Sequence, residues 1–96
     1  VGGRFWRDAS GRLTFDLAEV DAEDYPAVCR ATADALGLAP DGPPVIGPDQ
    51  VFWDFRRDEQ SVGFDSDIWM GFMVTAKAEA SEPLARDIAA WLSSSG

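Results

Sequence analysis

The sequence predicts an α+β domain: a two-layer sandwich in which an antiparallel sheet of about five strands carries two helices on one face, in the order ββ-α-βββ-α. Three observations carry this. Apolar and polar residues alternate over 12–17, the period of a half-buried strand, and 51–57 and 68–78 are further strand-like runs, the first rich in aromatics. Apolar residues recur at helical spacing over 25–36 and 84–92. The strand-like runs are grouped and separated by turns, which favours antiparallel pairing with helices gathered on one side. At 96 residues the expected unit is a single domain, 1–96.

Each element has a local cause. Arg4-Phe5-Trp6-Arg7 opens a hairpin, and Asp8-Ala9-Ser10-Gly11 turns it. Gly11 accepts a left-handed conformation at little cost. The return strand places Leu13, Phe15 and Leu17 on one face, with Arg12, Thr14 and Asp16 on the other. Asp21 is placed to cap the first helix, with Asp24 three residues later. Glu23 and Asp24 suit the positive end of its dipole. Tyr25, Val28, Cys29, Thr32 and Leu36 form its stripe. Pro26 is tolerable near the first turn. Gly37 suits a left-handed cap, with Leu38 packing back.

Pro40-Asp41-Gly42-Pro43-Pro44 and Gly47-Pro48 mark 39–50 as a connecting loop, long for so small a domain. Val51 to Arg57 is a strand, Asp58-Glu59-Gln60-Ser61 a turn, Val62-Gly63-Phe64 a short return, and Asp65-Ser66-Asp67 a second turn. Ile68 to Ala78 is a longer strand. Ile68, Met70, Phe72, Val74 and Ala76 share one face; Trp69, Gly71, Met73, Thr75 and Lys77 share the other. Ser81-Glu82-Pro83 starts the final helix, whose stripe is Leu84, Ile88, Trp91 and Leu92. Ser93-Ser94-Ser95-Gly96 is a fraying tail.

Composition excludes several chemistries. There is no histidine and a single cysteine, Cys29. That removes Ser-His-Asp and Cys-His nucleophile pairs, imidazole metal ligands, intrachain disulfides and thiolate zinc sites. Cys29 lies on the helix stripe as a core residue, and Tyr25 reads as a core-edge aromatic rather than a catalytic phenol. No glycine run has the spacing and lysine of a phosphate loop. A net charge of -9 opposes nucleic acid and anionic membrane surfaces. No apolar stretch approaches the roughly 20 residues that span a bilayer, and no leader pattern is visible. A lone thiol fits a reducing compartment, so the expected location is cytoplasmic. No cofactor and no metal are expected. Asp65-Ser66-Asp67 lacks the register of a calcium loop, since Ile68 and Trp69 occupy it.

The charge is uneven: residues 1–15, 16–50 and 51–96 carry +2, -7 and -4. The first helix and its flanks, with Asp21, Glu23, Asp24 and Asp34, could steer a basic partner or form an ordinary solvated surface. Alternation in 51–57 exposes Phe52 and Asp54 beside Arg56, either as an interface centre or as a cross-strand ion pair. Trp69 and Met73 flank Gly71 on the outer face of the long strand. With Phe52 they form an exposed apolar patch, unless the hairpin carrying Phe5, Trp6 and Phe15 covers that face.

The sequence therefore points to a small, acidic, non-catalytic protein-binding module. An inhibitor or immunity-type protein that docks a basic partner has this character. The expected partner-binding residues are Asp21, Glu23, Asp24, Asp34, Phe52, Asp54, Trp69 and Met73. A homo-oligomeric structural protein is the alternative, with a homodimer through the sheet face. A small-ligand binder or carboxylate enzyme fits less well, because no spacing commits two carboxylates to one cleft.

Overall fold

The first hairpin forms where alternation predicts it. β1 (Arg4–Arg7) and β2 (Leu13–Leu17) pair antiparallel, Arg4 opposite Asp16 and Trp6 opposite Thr14. Asp8 Oδ1 accepts the N–H groups of Ser10 and Arg12, and Gly11 takes φ +80°, where a side chain would be strained. This computed structural model describes residues 3–17, 20–69 and 71–94. Met70, Ser95 and Gly96, assigned above to the long strand and the tail, lie outside the described residues.

β5 (Gln50–Arg57), β6 (Gln60–Asp67) and β7 (Gly71–Ala76) form the antiparallel meander. β7 also pairs with β2, so the hairpin extends the sheet in its own plane. β3 (Ala39–Pro40) and β4 (Val45–Ile46) both pair with the outer edge of β5. The α+β two-layer sandwich holds, and the sheet has seven strands rather than about five. The two extra strands lie inside the expected 39–50 loop. β5 is eight residues long and offers more unpaired backbone donors and acceptors than one short segment can satisfy. Proline, which lacks an N–H, keeps each visitor short.

Two boundaries differ from the expectation for one reason. Asp65, Ser66 and Asp67 continue β6 instead of turning, because each pairs on both sides, with Phe52, Val51 and Gln50 of β5 and with Met73, Phe72 and Gly71 of β7. Two-sided ladders outweigh the turn preference of Asp and Ser. The turn moves to Ile68-Trp69. Ile68 and Trp69 therefore sit in it, exposed, and not on the two faces of a strand. Likewise Gln60 and Ser61 belong to β6, and the preceding turn is Asp58-Glu59.

α1 (Tyr25–Leu36) follows a single 3-10 turn at Ala22–Asp24. Asp21 makes no side-chain cap; its backbone carbonyl instead accepts the Asp24 N–H at 3.0 Å. The turn satisfies by backbone what a capping side chain would have supplied. Gly37 ends the helix at φ 70°, and the Leu38 N–H returns to Ala33 O at 2.9 Å, as expected of a left-handed cap. α2 (Glu82–Ser94) runs through the first half of the expected tail. Its early orphan N–H on Leu84 donates to Gln60 Oε1 at 2.8 Å.

Both helices cover one sheet face. Leu13, Phe15, Leu17, Phe55, Val62, Phe64, Phe72 and Val74 are buried there against Tyr25 and Cys29 of α1 and Leu84, Ile88 and Leu92 of α2. Ring centroids step from Phe55 to Phe64 (5.1 Å), to Phe72 (5.9 Å) and to Tyr25 (5.9 Å). Tyr25 is fully buried rather than at the core edge, and its hydroxyl donates to the Phe64 carbonyl. Tyr25→Phe removes that donor alone. It should lower stability by about 1–2 kcal/mol in urea denaturation, whereas Tyr25→Ala should cost about 3–5 kcal/mol.

Candidate functional site

The strand register sets side chains in rows across the sheet face opposite the helices. One row reads Arg4, Asp16, Met73, Asp65, Phe52 and Val45. The next reads Trp6, Thr14, Thr75, Gly63 and Asp54. The N-terminal hairpin does not fold over this face: Phe5 stacks on Phe15 on the helix side, with ring centroids 5.1 Å apart. No described element covers the far face.

Most charges on that face are paired. Asp16 accepts from Arg4 Nε at 3.2 Å and from Trp6 Nε1 at 3.0 Å. Lys77 Nζ reaches Asp54 Oδ1 at 3.1 Å. This pair passes directly over Gly63, where an added Cβ would lie 3.2 Å from both side chains. Asp54 is thus an ion-paired residue as well as a neighbour of Phe52. Asp65 differs: among the described residues nothing donates a hydrogen bond to it, and its cross-strand neighbours are Phe52 and Met73. Burial pushes its pKa up to about 6; Lys77 opposes the shift, while Asp54 and Asp67 add to it.

A second feature lies at one corner. Val45 (64% exposed), Ile46 (79%), Ile68 (66%), Trp69 (75%) and Phe52 (36%) are the large hydrophobics of β4, the start of β5 and the turn after β6. Val45 stands beside Phe52 in the register, and the Ile68 N–H donates to Asp49 O at 3.2 Å, so the segments meet. A groove of about 230 Å³ opens there between Ala22, Ile46, Val51 and Ile68, with Asp49 and Asp67 beside them and no Lys or Arg in its lining. β4 is only two residues long and flanked by Pro44 and Pro48, so both its side chains remain exposed.

The eight residues singled out from sequence therefore fall into separate places. Phe52, Asp54 and Met73 share the far face. Trp69 stands at the corner. Asp21, Glu23 and Asp24 are exposed on the helix layer, next to the groove through Ala22. Asp34 is exposed on α1, ten residues on from Asp24, or about 15 Å along the axis. Sequence reasoning missed Val45, Ile46 and Asp65 as surface features and placed Ile68 in the core. The available signal was an apolar Val-Ile pair inside a Pro/Gly-rich segment, where nothing local buries it.

Other groups carry less chemistry. The Cys29 thiol is buried and its pKa is pushed up to about 12, mainly by burial, so it stays protonated at neutral pH. Among the described residues no three acids and cysteines converge to hold a metal ion, and no helix is long and apolar enough to cross a membrane.

Asp65 has a thermodynamic consequence of defined sign. Its carboxylate is disfavoured in the fold above about pH 6. That penalty shrinks as pH falls from 6 towards 4 and vanishes once the unfolded chain is protonated as well. Asp65→Asn should therefore stabilise the protein at pH 7 by roughly 1–2 kcal/mol, discounting for its partial solvation. Denaturation curves for the variant and the parent should converge by about pH 4. No family model, no curated protein and no solved structure matches this chain.

Proposed function

We propose that the protein is a non-catalytic binding module that docks a basic, apolar-bearing segment of a protein partner at the corner formed by β4, the start of β5 and the turn after β6. One observation carries this reading: the exposed Ile46 and Ile68 line a groove whose charged lining residues, among those described, are the carboxylates Asp49 and Asp67, and the exposed Val45, Phe52 and Trp69 stand on the same strands and turn beside it. Contiguous exposed apolar surface costs solubility, and folded proteins keep it mainly where a partner covers it. Aromatic and aliphatic anchors such as Trp69 and Ile46 supply affinity, while surrounding charge sets approach and orientation. The net charge of -9 favours encounter with a cationic partner. Asp21, Glu23, Asp24, Asp49 and Asp67 are the acids closest to the groove in chain or space.

The two contributions separate experimentally. Partner capture from lysate of the source cells, followed by measured binding of the captured protein, is compared across variants. Ile46→Asp and Trp69→Ala alter exposed residues and should leave the melting temperature within about 2 °C. Each should weaken binding at least tenfold, mostly through faster dissociation. Reversing Asp21, Glu23 and Asp24 to Lys should slow association and flatten its salt dependence. Unchanged affinity in both corner variants would rule out the corner as the docking surface.

A further inference from the structure

We propose that Asp65 seats the guanidinium of an arginine on the docked segment, held across the far face between Phe52 and Met73. This rests on the docking reading above and adds the chemistry of one contact. Phe52 joins the two places. It stands beside Val45 of the corner on one side and beside Asp65 on the other. Asp65 therefore lies two strand spacings from β4, about 10 Å, within reach of an arginine on a segment that crosses the far-face, Val45 side of the corner.

The described residues do not fill this seat. Lys77 is held by Asp54 and Arg4 by Asp16. Arg56 shares the far face, is exposed and pairs with no described carboxylate, but it stands four residues along β5 from Phe52. That is about 13 Å along the strand, too far for it to reach Asp65. The result is a half-buried carboxylate with apolar cross-strand neighbours and, among the described residues, no hydrogen-bond donor, on an uncovered sheet face of an acidic protein.

Guanidinium fits this setting better than ammonium. It is planar and weakly hydrated, so it can stack on the Phe52 ring while two N–H groups meet both carboxylate oxygens. An ammonium keeps its hydration shell and makes no such fork. The charged groups facing Asp65 are Lys77, Asp54 and Asp67. Two of the three are acids, which favours an incoming cation.

The probe is a random dodecapeptide display library selected on the wild-type protein, with Ile46→Asp used to remove sequences that ignore the corner. The enriched, corner-dependent peptides should carry arginine near apolar residues. One of them is then synthesised with each arginine replaced by citrulline, its neutral isostere, or by lysine, and titrated against wild type and Asp65→Asn. At one arginine, citrulline should cost tenfold or more on wild type and less than threefold on Asp65→Asn, a coupling that a structural role for Asp65 would not produce. Lysine there should recover only part of the loss. Binding to wild type should also weaken between pH 7.5 and 5, and binding to Asp65→Asn should stay flat over that range.

Equal citrulline costs on the two proteins would overturn the seat and leave the docking corner standing. Full rescue by lysine would overturn the guanidinium assignment. A homodimer in sedimentation that Arg56→Glu dissociates and the peptide displaces would overturn it in favour of a second copy. Failure to enrich any peptide dependent on Ile46 would instead count against the docking reading itself.

Discussion

The ring sequence Phe55, Phe64, Phe72 and Tyr25 is the contact on which the rest of the molecule depends. Three neighbouring strands contribute one ring each, and α1 contributes the fourth. Large aromatic side chains bury much apolar area per residue, which a small domain needs. The Tyr25 hydroxyl lets that ring go fully inside, because it finds a strand carbonyl there. Its neighbour Cys29 completes the same helix face. With this much apolar area committed to one side of the sheet, none of the described structure is left to cover the other. The bare far face and the tightly filled near face are thus two results of one allocation.

Ion pairs at the periphery act on position more than on stability. Arg7 grips Glu82 at 2.8 and 3.3 Å, tying the first hairpin to the start of α2. Arg57 reaches both Asp87 at 2.9 Å and the Leu36 carbonyl at 3.3 Å, linking β5 to the end of α1 and the middle of α2. Exposed pairs of this kind add little to stability, because water and salt screen them. Their placement matters because cations used here are withdrawn from the corner. The charged residues lining the groove are Asp49 and Asp67, while Arg7 and Arg57 serve other parts of the sheet.

The near face was legible from sequence because alternation is a strong signal where one side is buried. Leu13, Phe15 and Leu17 in β2, and Phe72, Val74 and Ala76 in β7, are all buried as it predicts, although Thr14 on the opposite face of β2 is buried too, beside Thr75. Gly11 and Gly37 were legible because each needs a left-handed backbone. Three features were not. Asp65-Ser66-Asp67 looks like a turn, and only pairing to strands on both sides makes it extended. Ile68 and Trp69 look like strand, and only the longer β6 pushes them into a turn. Val45 and Ile46 acquire strand geometry from β5, a partner that local sequence does not reveal. Each miss is a case where tertiary pairing outweighed local preference. All three lie at or beside the corner, so the site was less readable than the fold. Asp54 lies on the outer face as alternation predicts but is half-buried, and its ion-pair partner, Lys77, lies across a glycine just past the end of β7.

The segment 39–50 also bears on what this protein does at high concentration. β5 is long, aromatic and hydrophobic, the composition that templates chain-to-chain β-pairing when its edge is open. β3 and β4 occupy that edge, and the Asp41 N–H adds a further bond to Asp54 O at 2.8 Å. Trp53 Nε1 holds the cover in place through Gly42 O at 3.2 Å. The outward side of the cover is broken by prolines into pieces too short to recruit another strand in turn. The same residues that display Val45 and Ile46 therefore act as a polymerisation guard, so that these apolar side chains stand exposed without an aromatic edge being open to fibril growth.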